Sequence, residues 1–165
     1  MSFDTKRVAK ELSDFGRYVV KQSRAMLTKN KSNDTKNLYG SLQFRKRVMK
    51  NSFSASFVMA DYGDFVDQGV RGAYSSLKAP ESPFRFKRNK KISPRHFEAW
   101  AKRKGISPFA VARSVWTKGL KPTLFFTKPF EDAFLRLPDD IIEKFGLDVD
   151  EFLDQVTKGT DTKVN

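Results

Sequence analysis

At Leu42 the apolar residues of this chain stop recurring at helical spacing and begin to alternate. That change fixes the fold class, because a period near 3.6 buries one stripe of a helix whereas a period of two buries one face of a strand. Before it, Phe3, Val8, Leu12, Phe15, Val19 and Met26 form a stripe with Lys and Arg on the other side, and the spacing predicts a helix over residues 3 to 28. After it, Leu42, Phe44, Lys46 and Val48 alternate with Gln43, Arg45, Arg47 and Met49. Beyond Lys50, Asn51 and Ser52, the residues Phe53, Ala55, Phe57 and Met59 repeat the alternation. This is a β-hairpin that turns Arg45, Arg47, Ser54 and Ser56 outward and offers its other face to the first helix. The class is α+β: a long N-terminal helix and C-terminal helices packed on a small antiparallel sheet.

Other signals place the remaining elements. Residues 29 to 37 are polar and read as a mobile surface connection, followed by a helical turn over residues 37 to 41. Residues 62 to 69 fit either a short helix or an irregular turn. The stretch from Val70 to Ile92 is too long and too charged for a passive connector, so it is expected to stay loose until a partner orders it. Ser93-Pro94 and Ser107-Pro108 each set an N-cap before a proline, opening helices that Gly105 and Gly119 close. Pro129 opens a helix with Phe130, Ala133, Phe134 and Leu137 on one face, and Pro138 breaks it. Ile141, Ile142, Phe145, Val149, Phe152, Leu153 and Val156 carry a helical pattern to about residue 157, with the last seven residues frayed. The expected organisation is an α+β domain over 1–138 with a basic loop at 71–92, then an acidic helix and tail over 139–165.

Charge indicates the kind of partner. Lys and Arg number 32 against 19 Asp and Glu, a net charge of +13, which calls for an anionic partner. The distribution is two-ended: residues 1–128 carry +19 and residues 129–165 carry −6. Eleven Lys and Arg fall between Arg71 and Lys104 against two acids, Glu81 and Glu98. The sharpest part holds Arg85, Lys87, Arg88, Lys90 and Lys91, with Phe84 and Phe86 between cations. These five are the candidate contacts to a partner protein or to DNA. Stacking aromatics and phosphate-neutralising cations would suit nucleic acid, while a solvated loop pinned by two Phe would give the same pattern.

Much chemistry is excluded. The chain has no Cys and a single histidine, His96, which removes disulfides, thiol nucleophiles, Cys/His zinc sites and His-based triads. Asp61, Asp64 and Asp67 are spaced for a divalent cation only loosely and read better as a solvated turn. Asp148, Asp150, Glu151 and Asp154 lack the glycine and spacing of a calcium loop and read as the wet face of the terminal helix. His96 reads as a capping or packing residue, and Trp100 and Trp116 as core. No cofactor is implied. The charged first 25 residues predict no signal peptide, and no window of 18 apolar residues predicts a membrane span.

The order of parts resembles a known family. Leu38-Tyr39-Gly40-Ser41-Leu42 leads into the hairpin, Tyr62-Gly63-Asp64-Phe65-Val66-Asp67-Gln68-Gly69 follows it, and a Pro-Phe helix closes the pattern. This is similar to the tail-completion or head-tail joining proteins of tailed bacteriophages. Longer members share a Trp helix ending in Lys-Gly, a helix like residues 109 to 113, and a turn like Gly119 to Pro122 before aromatics such as Phe125 and Phe126. The resemblance spans residues 38 to 135. It departs at Asp67-Gln68, where an acidic residue, usually Glu, precedes the Gly, and in the longer basic loop. The resemblance implies a non-enzymatic virion protein forming a ring, a hexamer or a dodecamer, at the phage neck. That ring would meet connector and tail proteins and leave a path for DNA. The expected subunit interface comprises Phe65, Val66 and Gly69, the pair Phe125 and Phe126, and Ile142, Phe145 and Phe152, with the acidic helix of one copy against the basic body of the next. The alternative is a basic DNA-binding protein without sequence preference.

Overall fold

The computed structural model describes residues 4–30, 36–50 and 52–158. Phe3, most of the polar connection at 29–37 and the last seven residues lie outside the described residues. The elements in chain order are α1 (Thr5–Lys29), α2 (Asn37–Ser41), β1 (Gln43–Val48), β2 (Phe53–Val58), α3 (Gly63–Gln68), β3 (Val70–Arg71), a 3-10 turn (Pro94–Phe97), α4 (Glu98–Lys104), α5 (Pro108–Lys118), β4 (Gly119–Leu120), α6 (Thr127–Phe134), α7 (Asp139–Phe145) and α8 (Val149–Lys158). The class is α+β, with two antiparallel sheets of two strands each where the sequence suggested one. The chain forms two compact units: residues 1–60 with 125–165, and residues 61–124. The boundary at residue 138 follows the break at Pro138 before the acidic segment and does not coincide with an edge between these units.

In the first unit, Asp4 caps α1 by accepting hydrogen bonds from the amides of Lys6 (3.1 Å) and Arg7 (3.0 Å), which satisfies donors that a helix start leaves open. The buried stripe runs through Val8, Leu12, Phe15, Val19, Ser23 and Leu27. Leu27, not Met26, ends it: steps of three and four from Ser23 both suit a helix, but Leu27 is buried and Met26 only half-buried. The hairpin pairs Phe44 with Phe57, Lys46 with Ala55 and Val48 with Phe53, placing all six on the row facing α1 as the alternation requires. Lys46 is accommodated on that row because its ammonium donates to the Ala9 carbonyl at 2.6 Å.

A cluster of phenylalanine rings fills the space under the hairpin. Phe57 is fully buried, with ring centroids 6.2 Å from Phe15, 4.8 Å from Phe44, 5.0 Å from Phe126 and 6.3 Å from Phe130. Phe152 joins from α8 at 5.7 Å from Phe15 and 5.6 Å from Phe130. Such pairs add about 0.5–1.5 kcal/mol each beyond the burial of their area.

The C-terminal helical pattern is not one helix. Gly146 at φ +58° ends α7, and Asp148 starts α8 by accepting from the amides of Asp150 (3.0 Å) and Glu151 (3.2 Å). The acidic face is wet as expected, and its opposite face closes the chain's own core. Ile141 packs with Val8 and Leu12, while Phe152 and Val156 are buried. Arg7 forms a two-pronged pair with Asp140 at 2.8 and 2.9 Å, which raises the guanidinium pKa above its ordinary value.

The second unit is built on α3, α4, α5 and the β3–β4 ladder, in which Val70 faces Leu120 and Arg71 faces Gly119. Ser93 and Ser107 cap as their Ser-Pro pairs predict, accepting from the amides of Arg95 (3.3 Å) and Ala110 (3.4 Å). Gly105 and Gly119 end α4 and α5 at positive φ. Gly69, at φ +70°, lies so close to β4 that an added Cβ would stand 2.5 Å from the Leu120 carbonyl oxygen. Residues 62–69 resolve to the short helix. It buries Gly63 and Asp67, one turn apart, and exposes Phe65, so Asp67 is not part of a solvated turn. Trp116 is buried, but Trp100 is 36% exposed, because α4 buries only its Ala101 side.

Candidate functional site

The basic segment from Arg71 to Ile92 is irregular in backbone but held in place. Arg71 donates its amide to the Phe84 carbonyl (2.9 Å) and accepts from the Phe86 amide (3.0 Å). Ser82 donates its hydroxyl to the Gly69 carbonyl at 2.7 Å and accepts from the Phe84 amide at 3.1 Å. The Phe84 ring meets Phe65 edge-on at 4.8 Å, and the Trp116 indole donates to the Lys87 carbonyl at 2.9 Å. The expectation of a loop without internal order is thus corrected. The two Phe next to its cations are half-buried, and Phe84 acts as a pin.

All five candidate contact residues are exposed, and among the described residues none forms an ion pair. Three are held by neighbours. Arg85 donates to the Ser76 hydroxyl at 2.6 Å, and Arg88 donates to the Ala73 carbonyl at 3.1 Å with its guanidinium 5.2 Å from the Tyr74 ring centre. The Lys91 ammonium lies 5.8 Å from the Trp116 ring centre. The ammonium groups of Lys87 and Lys90 make no hydrogen bond among the described residues and point their charge at solvent. The arrangement is a set of oriented cations without counter-charge, suited to an anionic surface.

The expected interface residues separate into two groups. Phe65 is 42% exposed and Val66 half-buried on α3, so Phe65 can meet a partner, while Gly69 is buried. Phe125, Phe126 and Phe152 are buried in the first unit and cannot form the surface of a folded subunit. Ile142 and Phe145 are half-buried, with Phe145 edge-on to Phe53 at 4.8 Å. The acidic helix is therefore core to its own unit rather than an arm for the next copy. The physical reason is its apolar face: Ile141, Phe152 and Val156 find their cover in cis.

The sequence reading missed where exposed apolar surface would collect. Of the ten large hydrophobic residues exposed among the described residues, only Met49 and Leu135 belong to the first unit. The other eight, including Phe65, Tyr74, Leu77 (92% exposed), Ile106 and Phe109 (72% exposed), fall within residues 61–124. That unit also holds 14 Lys and Arg against 5 Asp and Glu. Compared with protein-family models, curated proteins and solved structures, the chain matches none of them. Among the described residues there is no group of three His, Asp or Glu able to hold a metal ion, Asp61, Asp64 and Asp67 included, and no helix long and apolar enough to cross a membrane.

Proposed function

We propose that this chain is a structural protein of the neck of a tailed phage, assembling without covalent chemistry as a ring that joins tail or connector to the capsid and leaves an axial path for DNA. The motifs around residues 38–42, 62–69 and 119–126 suggest the family. The single observation that supports an assembly role is that the exposed apolar side chains concentrate in residues 61–124 beside the exposed loop cations Arg85, Lys87, Arg88, Lys90 and Lys91, a combination found on surfaces that another macromolecule covers. In this reading Phe65 and Leu77 supply apolar contact between subunits. Lys87 and Lys90, with Arg85 and Arg88, meet an acidic surface of a connector or tail protein in the virion. A conduit that must release DNA quickly gains little from cations gripping phosphates, so these four cations serve protein contact.

Light scattering tests the proposal against the alternative of a basic DNA-binding protein. A ring gives a mass many times the 19.0 kDa of one chain. A monomer or dimer that retards duplex DNA in a salt-sensitive gel shift would favour the alternative.

A further inference from the structure

Within the second unit a groove of about 870 Å³ runs along α5, lined by Tyr74, Lys91, Phe109, Arg113 and Trp116 among others, with no acidic residue in its wall. Its volume falls within the range of ligand clefts. We infer that this groove binds a short stretch of single-stranded nucleic acid, with bases stacked on Tyr74 and Phe109 and phosphates on Lys91 and Arg113.

The inference starts from which aromatic rings are free. Phe84 and Phe86 look like stacking residues in the sequence, but they are half-buried, with Phe84 packed on Phe65. The rings most open to solvent among the described residues are Phe109, on the first turn of α5 and 72% exposed, and Tyr74, 59% exposed. Both line the groove. Tyr74 is held rather than loose: its ring stands edge-on to Trp116 at 5.4 Å and carries Arg88 near its centre at 5.2 Å. Trp116 is in turn fixed by its indole bond to the Lys87 carbonyl and holds the Lys91 ammonium at 5.8 Å. Two exposed rings beside two cations of the groove wall, Lys91 held over Trp116 and Arg113 on α5, form a surface for a ligand that is planar and anionic at once.

Chemistry then chooses among polyanions. A duplex offers phosphates but keeps its bases stacked on one another, so it has no use for Tyr74 and Phe109. An acidic peptide offers carboxylates to Lys91 and Arg113 without a repeated planar group. Only a single strand supplies both features along its length. This site stands on the groove alone and does not depend on the ring.

Fluorescence anisotropy with the full chain decides it, using labelled oligo-dT of about 15 nucleotides, the matching duplex and a polyglutamate peptide. Oligo-dT should bind more tightly than either of the others and weaken steeply between about 50 and about 200 mM salt. Phe109→Ala and Tyr74→Ala should each weaken oligo-dT about ten-fold while leaving the duplex within about two-fold. Arg113→Gln should weaken all three probes. Phe109 is exposed enough that its truncation leaves folding intact, so this variant reads binding alone. The inference is overturned if Phe109→Ala changes oligo-dT affinity less than two-fold, if the duplex binds as tightly as the single strand, or if polyglutamate does so.

Discussion

Gly16 on α1 lies directly under the ring of Phe44 on β1: a Cβ at residue 16 would stand 2.0 Å from Phe44 Cδ1 and 2.3 Å from Cγ. The helix and hairpin meet where one of them lacks a side chain. Two effects of a Gly16→Ala change oppose each other. Alanine favours the helix by about 1 kcal/mol, whereas forcing a methyl into the body of a packed ring costs about 1–3 kcal/mol. The obstruction is ring carbon rather than a flexible tip, so the second effect wins. Gly16→Ala should lose up to about 2 kcal/mol in urea denaturation, and a gain would show that the hairpin sits further from α1.

Ser23 makes the opposite prediction. It is fully buried in the stripe of α1, and its hydroxyl has no hydrogen-bond partner among the described residues. An unsatisfied buried hydroxyl costs about 1–3 kcal/mol, and alanine is the better helix former. Ser23→Ala should raise stability by about 1 kcal/mol in the same assay. A loss of that size would mean the hydroxyl has a partner in solution.

The hydrogen bonds around Arg71 predict a specific exchange pattern. The amides of Arg71, Ala73 and Phe86 are bonded to the carbonyls of Phe84, Trp116 and Arg71, respectively. They should exchange far more slowly than amides at the tip of the basic segment such as that of Asn89. Uniformly fast exchange from Arg71 to Ile92 in the isolated protein would restore the picture of a loop that only a partner orders.

The sequence reading was most reliable where the signal is local. The change of period at Leu42, the two Ser-Pro caps and the stop at Gly105 each depend on a few neighbouring residues, and the structure has all of them. What was missed depends on partners distant in the chain. Leu27 replaces Met26 because the surface covering α1 decides which residue ends the stripe. Gly146 splits the acidic helix because Asp148 restarts it, a cap hidden among other acids. Phe126 and Phe152 read as an interface because their cover comes from Phe15, Phe57 and Phe130, and nothing in their own segments shows that. At the candidate site, charge was legible from composition. The roles of Phe84 as pin and Phe109 as free ring were not, since both read only as aromatics near cations.

Deleting residues 139–165 tests whether the acidic helices serve their own unit. The deletion removes Ile141, Phe152 and Val156 from the core, each worth about 1.5–3 kcal/mol of burial, against a total stability of about 5–15 kcal/mol for a typical domain. The truncated chain should lose cooperative unfolding by circular dichroism. A truncated chain that melts like the full one but no longer assembles would place these helices between subunits.

Electron cryo-microscopy of the purified chain, over a range of concentrations at moderate salt, tests the assembly proposal most directly. The account predicts closed rings of many 19.0 kDa copies around an axial channel, with Phe65 and Leu77 covered by the neighbouring subunit. Particles no larger than a monomer or a two-fold dimer at every concentration, or rings that leave Phe65 and Leu77 in solvent, would contradict it.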